Sequence, residues 1–541
     1  MTRRNEFLSL AGAALAALAV LLVPSPSRAF CGFYVGGAGA KMFNDATVVV
    51  MMREGTRTVL SMQNAYKGPP EKFAMVVPVP VVLQEENVKT LRRELFDHID
   101  QLASPRLVEY WEQDPCAQQA PGRGGVITGA RRPTSHAAMG GGGGDDLGVK
   151  IEAQFTVGEY QIVILSAQDS GGLDTWLHRE GYNIPEGGEP YFRPYVASGS
   201  KFFVAKVDVT KVKMEDGVAQ LSPLRFHYES DEFKLPVRLG LINSSGTQDL
   251  IIHIIGRGTR YEVANYPNVT IPTNLDVSEA ASDKFGTFYT TLFDRTLEKN
   301  PKAVVTEYAW EPTSCDPCPG PAMSLGDLST FGADVLPSML VQPAQRKAAG
   351  GGFGMPTPGS QFVLTRLHAR YTKESLGEDL VFKAVPAITG GREVVGADGQ
   401  LEHGSQPSSL NNFQARYAIR HPWTGPIACT APRRGVWGGY PGGNGSGAAP
   451  KSAQKLGLTA HGKAELASFV RQDVPEIGFT LKGPTPVAVP VTGGGTATGT
   501  GETRKGCLGC AVTETSGTAS GAALAALGAL ALAVRRRRRS R

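Results

Sequence analysis

The stretch ATVVVMMREGTRTVLSMQNAYKGPPEKFAMVVPV, residues 46–79, decides the fold class. Ala46 to Met52 is an apolar, β-branched run, and Glu54-Gly55 is a turn signal. Leu60, Met62 and Tyr66 then alternate with polar Ser61 and Gln63, so the two runs read as a hairpin. Phe73 to Val77 reads as a third strand. Pro78 and Pro80 close it, because proline cannot donate to a ladder, and they predict an edge or a strand end. Beyond it, Val88, Leu91, Leu95, Ile99 and Leu102 recur at three and four. That spacing predicts an amphipathic helix with Asn87 as its N-cap and Pro105 as its stop.

The same alternation of strand and helix continues outward. Tyr160 to Leu165 and Phe202 to Val209 read as strands, and Leu173 to Glu180 as a short helix. Leu235 to Ile242 and Leu250 to Ile255 flank Asn243-Ser244-Ser245-Gly246, which predicts a hairpin. Asp283 to Leu297 reads as helix and Val304 to Trp310 as strand. Phe362 to Tyr371 and Leu380 to Val385 read as strands. Phe413, Ala415, Tyr417 and Ile419 share one strand face, opposite Gln414, Arg416 and Arg420. Thr430 to Gln454 is Gly/Pro/Thr-rich and is expected to be disordered. The fold class is therefore α+β: a β-rich body of hairpins with a few amphipathic helices and disordered Gly/Pro/Thr-rich linkers. The expected divisions are a leader (1–29), an α+β domain (30–310), a Cys-containing connector (311–342), a Gly/Pro linker (343–361), a smaller β-rich region (362–480), a disordered stalk (481–506) and a tail (507–541). Ala117 to Leu147, with its five glycines at 140–144, is a flexible excursion from the first domain.

Several phrases carry a family resemblance. The pattern from Ala46 to Val79, the helix from Val88 and Trp111-Glu112-Gln113-Asp114-Pro115-Cys116 resemble an exported bacterial family catalogued as domain of unknown function two thousand three hundred and thirty. Cys315-Asp316-Pro317-Cys318-Pro319, Thr365 to Tyr371 and Tyr417 through Trp423 fit the same family. The resemblance covers roughly residues 30–425. It implies a secreted or surface protein and supplies no catalytic residues.

Both ends read as addresses. Arg3 and Arg4, the apolar run Leu8 to Val23 and Ser27-Arg28-Ala29 before Phe30 make a secretory signal peptide. At the other end Ala511 to Val534 spans 24 residues with one charge, Glu514, against the roughly 20 needed to cross a bilayer core. Arg535 to Arg539 follow directly and should stay cytoplasmic. Gly506-Cys507-Leu508-Gly509-Cys510, the apolar run and the arginines together resemble the MYXO-CTERM sorting tail of myxobacterial surface proteins. That resemblance implies processing by a sorting protease near Cys507 and Cys510. The expected course is an inner-membrane precursor held by its tail, then a cell-surface or outer-membrane form. The formal net charge of +5 is misleading. Removing Arg3, Arg4, Arg28 and Glu6, and the six arginines and Glu514 beyond Cys510, leaves 46 basic and 48 acidic residues, a net of −2. A body with no basic bias gives no support for nucleic-acid binding.

Export favours disulfides, and the body carries Cys31, Cys116, Cys315, Cys318 and Cys429. Two bonds among five cysteines allow 15 pairings, and the sequence does not choose among them. Cys315-Asp316-Pro317-Cys318 has two readings. One is a thiol-disulfide redox centre, which needs a helix N-terminus to lower a thiol pKa. The plainer one is a structural staple, because Pro319 and Pro321 leave little room for a helix there. Zinc would need two further ligands, so no metal and no cofactor is expected. The histidines form no H-E-x-x-H, and neither a G-x-S-x-G elbow nor a Walker loop occurs. His253 reads as a strand residue with a satisfied ring. His368 with Arg370, and Arg420 with His421, could line one polar site, but solvated strand faces account for them as well. The expected role is binding or structural work at the surface, with an unidentified ligand. The alternatives are a redox protein using Cys315 and Cys318, and a hydrolase whose dispersed site no motif reveals.

Overall fold

The computed structural model describes the chain from Phe33 to Leu481, apart from residues 36–42, 45–46, 64–65, 68–73, 117–147, 183, 185–186, 216–217, 243–247, 341–361, 373–374, 376, 395–400, 441–449 and 455–463. Its centre is an eleven-stranded mixed sheet. In chain order the strands are β1 (Thr47–Glu54), β2 (Arg57–Gln63), β3 (Val88–Thr90), β4 (Leu224–Glu229), β5 (Gln248–Arg257), β6 (Asn268–Thr270), β7 (Val304–Trp310), β8 (Phe362–Tyr371), β9 (Ile388–Gly390), β10 (Gln406–Pro407) and β11 (Asn412–Gln414). They lie in the order β10-β9-β11-β7-β8-β5-β1-β2-β4-β3, with β6 beside β7. β1 and β2 are the expected hairpin, closed between Glu54 and Arg57 through Gly55 at φ +58°, a backbone conformation that glycine adopts without strain. β5 runs parallel to β1 on one side and antiparallel to all ten residues of β8 on the other.

Alternation along these strands separates two apolar faces. Val49, Met51, Leu60, Met62, Ile252, Ile254 and Leu367 pack on an antiparallel five-stranded sheet built from 33–35, 74–79, 149–157, 160–167 and 201–207, through Met75, Val77, Ile162, Ile164 and Phe203. The outer face of that second sheet carries α2 (Ser170–Arg179) and α3 (Glu189–Ala197). The other face of the central sheet carries α1 (Arg93–Ala103), α4 (Phe285–Lys299) and α5 (Leu325–Phe331). The layers thus run helix, sheet, sheet, helix, and the body is β-rich α+β. α4 alone buries Phe285, Phe288, Leu292 and Phe293, at roughly 1.5–3 kcal/mol for each large apolar side chain.

Three local expectations are corrected. Val88 to Thr90 is not helix but the edge strand β3, paired with Leu224–Phe226, and the helix starts only at Arg93. Asn87 accepts from Gln84 N at 2.8 Å and ends a short 3-10 turn, so it caps no α-helix. Leu235 and Leu250 do not belong to one hairpin. Lys234–Leu235 pairs with Leu380–Val381, Arg238–Leu241 is a 3-10 turn, and β5 is claimed by β1 and β8. Within 430–454, Trp437–Gly438 and Lys451–Ser452 are ordered against strand Arg106–Glu112. Pro78 is tolerated because its strand is paired there on one side only: Phe202 lies opposite it, whereas Phe33–Val35 reaches only Val76.

Candidate functional site

Three residues of one face of β8, Arg366, His368 and Arg370, organise a buried chain of charges. Their cross-strand partners come from β5 and β7, and their cover from α1 and α4. β7 contributes through a bulge. Thr306 faces Leu367 and Tyr308 faces Arg366, so Glu307 is the extra residue. Two consecutive side chains, Glu307 and Tyr308, consequently face the helix layer, a re-aiming that regular alternation forbids. Glu307 accepts from Arg366 Nε at 2.6 Å, from His368 Nδ1 at 2.7 Å and from the Tyr289 hydroxyl of α4. His368 Nε2 lies 3.0 Å from Asp249 Oδ1, which also accepts from Arg370 Nε at 2.6 Å. Arg370 reaches Asp294 on α4, and Arg366 reaches Asp100 on α1 and His253 Nε2 at 3.3 Å. Phe293 stacks on His368 at 3.8 Å and underlies the Arg370 guanidinium at 4.7 Å.

Signs alternate from Asp294 through Arg370, Asp249, His368, Glu307 and Arg366 to Asp100. Burial alone would lower the His368 pKa, but Glu307 and Asp249 outweigh it and raise it above the ordinary histidine range. Burial likewise opposes ionisation of Glu307 and Asp249. His368 and the two arginines overcome that, and both carboxyls sit below their usual range. His253 moves the other way, since burial and then Arg366 push it well below the usual value, so it stays neutral. Glu307 and His253 are wholly buried and His368 is 1% exposed. The expectation of a solvated strand face at His368 is therefore corrected: the helices shut it off. Chemically this chain is a charge-compensated clamp between sheet and helices, buried at Glu307 and His368 and partly exposed at its Asp294 end.

Arg420 and His421 do not join it. They lie on strand Arg416–His421, which runs parallel to Arg106–Glu112 in a separate sheet. Arg420 grips Asp276, with Nε at 2.8 Å from Oδ1. His421 Nε2 lies 3.1 Å from Glu109 and its ring stacks on Trp111 at 4.7 Å. Of Asp100, Asp249, Glu307 and Tyr289, none was singled out in sequence. The one local sign was the Arg-x-His-x-Arg alternation, which requires compensating acids if it is buried.

The cysteines pair as Cys116–Cys429, with Cα atoms 5.5 Å apart, and Cys315–Cys318, at 4.9 Å. Cys31, Cys507 and Cys510 lie outside the described residues. No helix opens at Cys315; the next one, α5, is capped by Ser324. The loop instead offers its carbonyls to side chains. Pro317 O accepts from Arg106 at 2.8 Å, Asp316 O from Gln414 at 2.5 Å and Pro319 O from Gln101 at 3.0 Å, while Pro321 O meets His98 Nε2 at 2.7 Å. Among the described residues, no group of three or more His, Cys, Asp or Glu is placed to hold a metal, and no helix is long and apolar enough to cross a membrane.

Compared with known proteins, residues 25–383 match the family model described as "Uncharacterized protein conserved in bacteria (DUF2330)". No curated protein matches the chain, and no solved structure matches it.

Proposed function

We propose, from the premise that this chain belongs to DUF2330, a family of uncharacterised proteins conserved in bacteria, that it is an exported protein held at the cell surface, and that its body is a binding scaffold rather than an enzyme. The observation that carries this reading is Cys116–Cys429, a bond between residues 313 apart in sequence. A covalent tie of that span persists in an oxidising compartment and is rare where thiols are kept reduced. The signal-peptide order before Phe30 and the apolar-then-arginine tail support the same address. The clamp at Glu307 and His368 supports the scaffold half of the reading, because its buried ionisable groups are spent on one another and tie the sheet to the helices.

The test combines surface protease digestion of intact cells with alkylation of the native protein before reduction. Cys116, Cys315, Cys318 and Cys429 should be blocked, and the body should be cleaved from outside. Four alkylatable thiols in a protease-resistant protein would sink the proposal. The redox alternative draws on one observation, the exposure of Cys318. An insulin-reduction assay separates it: turnover that disappears in Cys318→Ser would replace the scaffold reading.

A further inference from the structure

The loop from Cys315 to Pro321 is fastened over a pair of buried arginines. Arg106 and Arg416 stand opposite each other in the parallel ladder, and both are 0% exposed. Their acceptors are all uncharged oxygens: Leu102 O and Pro317 O for Arg106, and Asn274 Oδ1, the Tyr110 hydroxyl and Arg392 O for Arg416. Burial lowers the pKa of both, and Asp316 in the loop is among the groups that draw it back up. Arg106 Nε has no partner among the described residues. Without Pro317 O this guanidinium would keep a single acceptor, and an ill-satisfied cation is costly in a dry interior. Gln414 donates to the adjacent carbonyl, Asp316 O. The loop therefore holds strand Arg106–Glu112 and β11 through consecutive carbonyls, and α1 through Pro319 O and Pro321 O.

We propose that Cys315–Cys318 is a redox latch: an external dithiol opens it at Cys318 and thereby frees the loop from Arg106 and Gln414. The two sulfurs are unequal. Cys318 is exposed, whereas Cys315 packs against the apolar cluster of α1 and α5. Cys116 and Cys429, in the other bond, are both half-buried. Exposed disulfides are the ones that exchange. A thiolate of the reductant attacks Cys318 Sγ and forms a mixed disulfide. The electron pair of the broken bond leaves on Cys315, which takes a proton. The reductant's second thiolate then attacks its own partner sulfur, and Cys318 leaves and is protonated. Two electrons and two protons have passed to the pair, and the dithiol has become a disulfide. Two thiol sulfurs cannot pack at bonding distance, so reduction must widen the turn whose middle residues are Asp316 and Pro317. Those two supply the carbonyls that Gln414 and Arg106 use. As a target of exchange the pair needs no helix to lower a thiol pKa, which sets it apart from a redox catalyst. The latch is a property of the purified protein and is independent of the surface proposal.

The experiment titrates the full-length protein with dithiothreitol, traps free thiols by alkylation for peptide mass mapping, and follows amide hydrogen exchange. Cys315 and Cys318 should become alkylated at about tenfold less dithiothreitol than Cys116 and Cys429. In that half-reduced state the amides of 101–108 and 412–416 should lose protection, and reoxidation before alkylation should restore it. In Cys315→Ala with Cys318→Ala, the same low dithiothreitol should change nothing. Opening of Cys116–Cys429 first, or at the same concentration, overturns the latch. So does selective reduction that leaves both segments protected. Loosening of the double variant by low dithiothreitol would trace the response to another bond and overturn it as well.

Discussion

His368 stabilises the fold when charged, because it sits between the buried carboxylates of Glu307 and Asp249 and compensates them together with Arg366 and Arg370. Its folded pKa is raised from the ordinary 6.5. A raised pKa means that the folded state holds the proton more tightly, so the stabilisation is complete below 6.5 and is lost as pH climbs through the folded value. His253 has the opposite sign: its pKa is depressed, so the unfolded state binds the proton first, and stability drains away as pH falls below 6.5. Glu307 and Asp249, with depressed pKa values, also lose their contribution toward acid. Wild type should therefore decline on both flanks in urea titrations from pH 5 to 9. His368→Gln should cost ~3–5 kcal/mol near neutrality, the range for breaking a buried ion pair from one side, and it should flatten the alkaline flank. An alkaline flank that survives the substitution would remove His368 as its cause.

Elements were legible in sequence where their partners are local and obscure where they are distant. The β1–β2 hairpin announces itself because Glu54-Gly55 and the flanking β-branched runs carry all the information within eighteen residues, 46–63. Phe413, Ala415, Tyr417 and Ile419 are all buried in one cluster, but they fall on two strands of different sheets, Asn412–Gln414 and Arg416–His421, with Ala415 between them, rather than along one. β3 was hidden because Val88 and Leu91 satisfy a helical period while Leu224–Phe226, far along the chain, supplies a ladder. The clamp was hidden for the same reason: Arg366 and His368 look like solvated residues until Asp100, Asp249 and Glu307 arrive from three other elements. The two disulfides also differ in reach. Cys315–Cys318 closes a short loop and should contribute ~2 kcal/mol by chain entropy, whereas Cys116–Cys429, spanning 313 residues, should contribute ~5 kcal/mol or slightly more. Cys116→Ser should therefore lower the urea midpoint well beyond Cys315→Ser. Equal shifts would show that the long bond constrains little of the unfolded chain.

At the scale of the whole molecule, the proposed surface location turns on the tail sequence. Arg535 to Arg539 follow an apolar run of 14 residues, Gly521 to Val534, which is marginal as a span without the polar residues before it. Moving five guanidinium groups through hydrocarbon is very costly, so they should hold the tail with its end in the cytoplasm and the body on the far side. If the tail is then processed, the surface form cannot retain those arginines. Fractionation with intact mass spectrometry reads this directly. The surface form should begin near Phe30 and end near Cys507 to Cys510. Cys507→Ala with Cys510→Ala should trap an uncleaved precursor in the inner membrane. Deleting residues 506–541 should release the body from the membrane fraction if the tail is its anchor. A surface form that still carries Arg541 would leave a plain transmembrane anchor and no sorting step. A truncated protein that stays in the membrane would shift the anchor to the body or the leader, and the tail would lose its role.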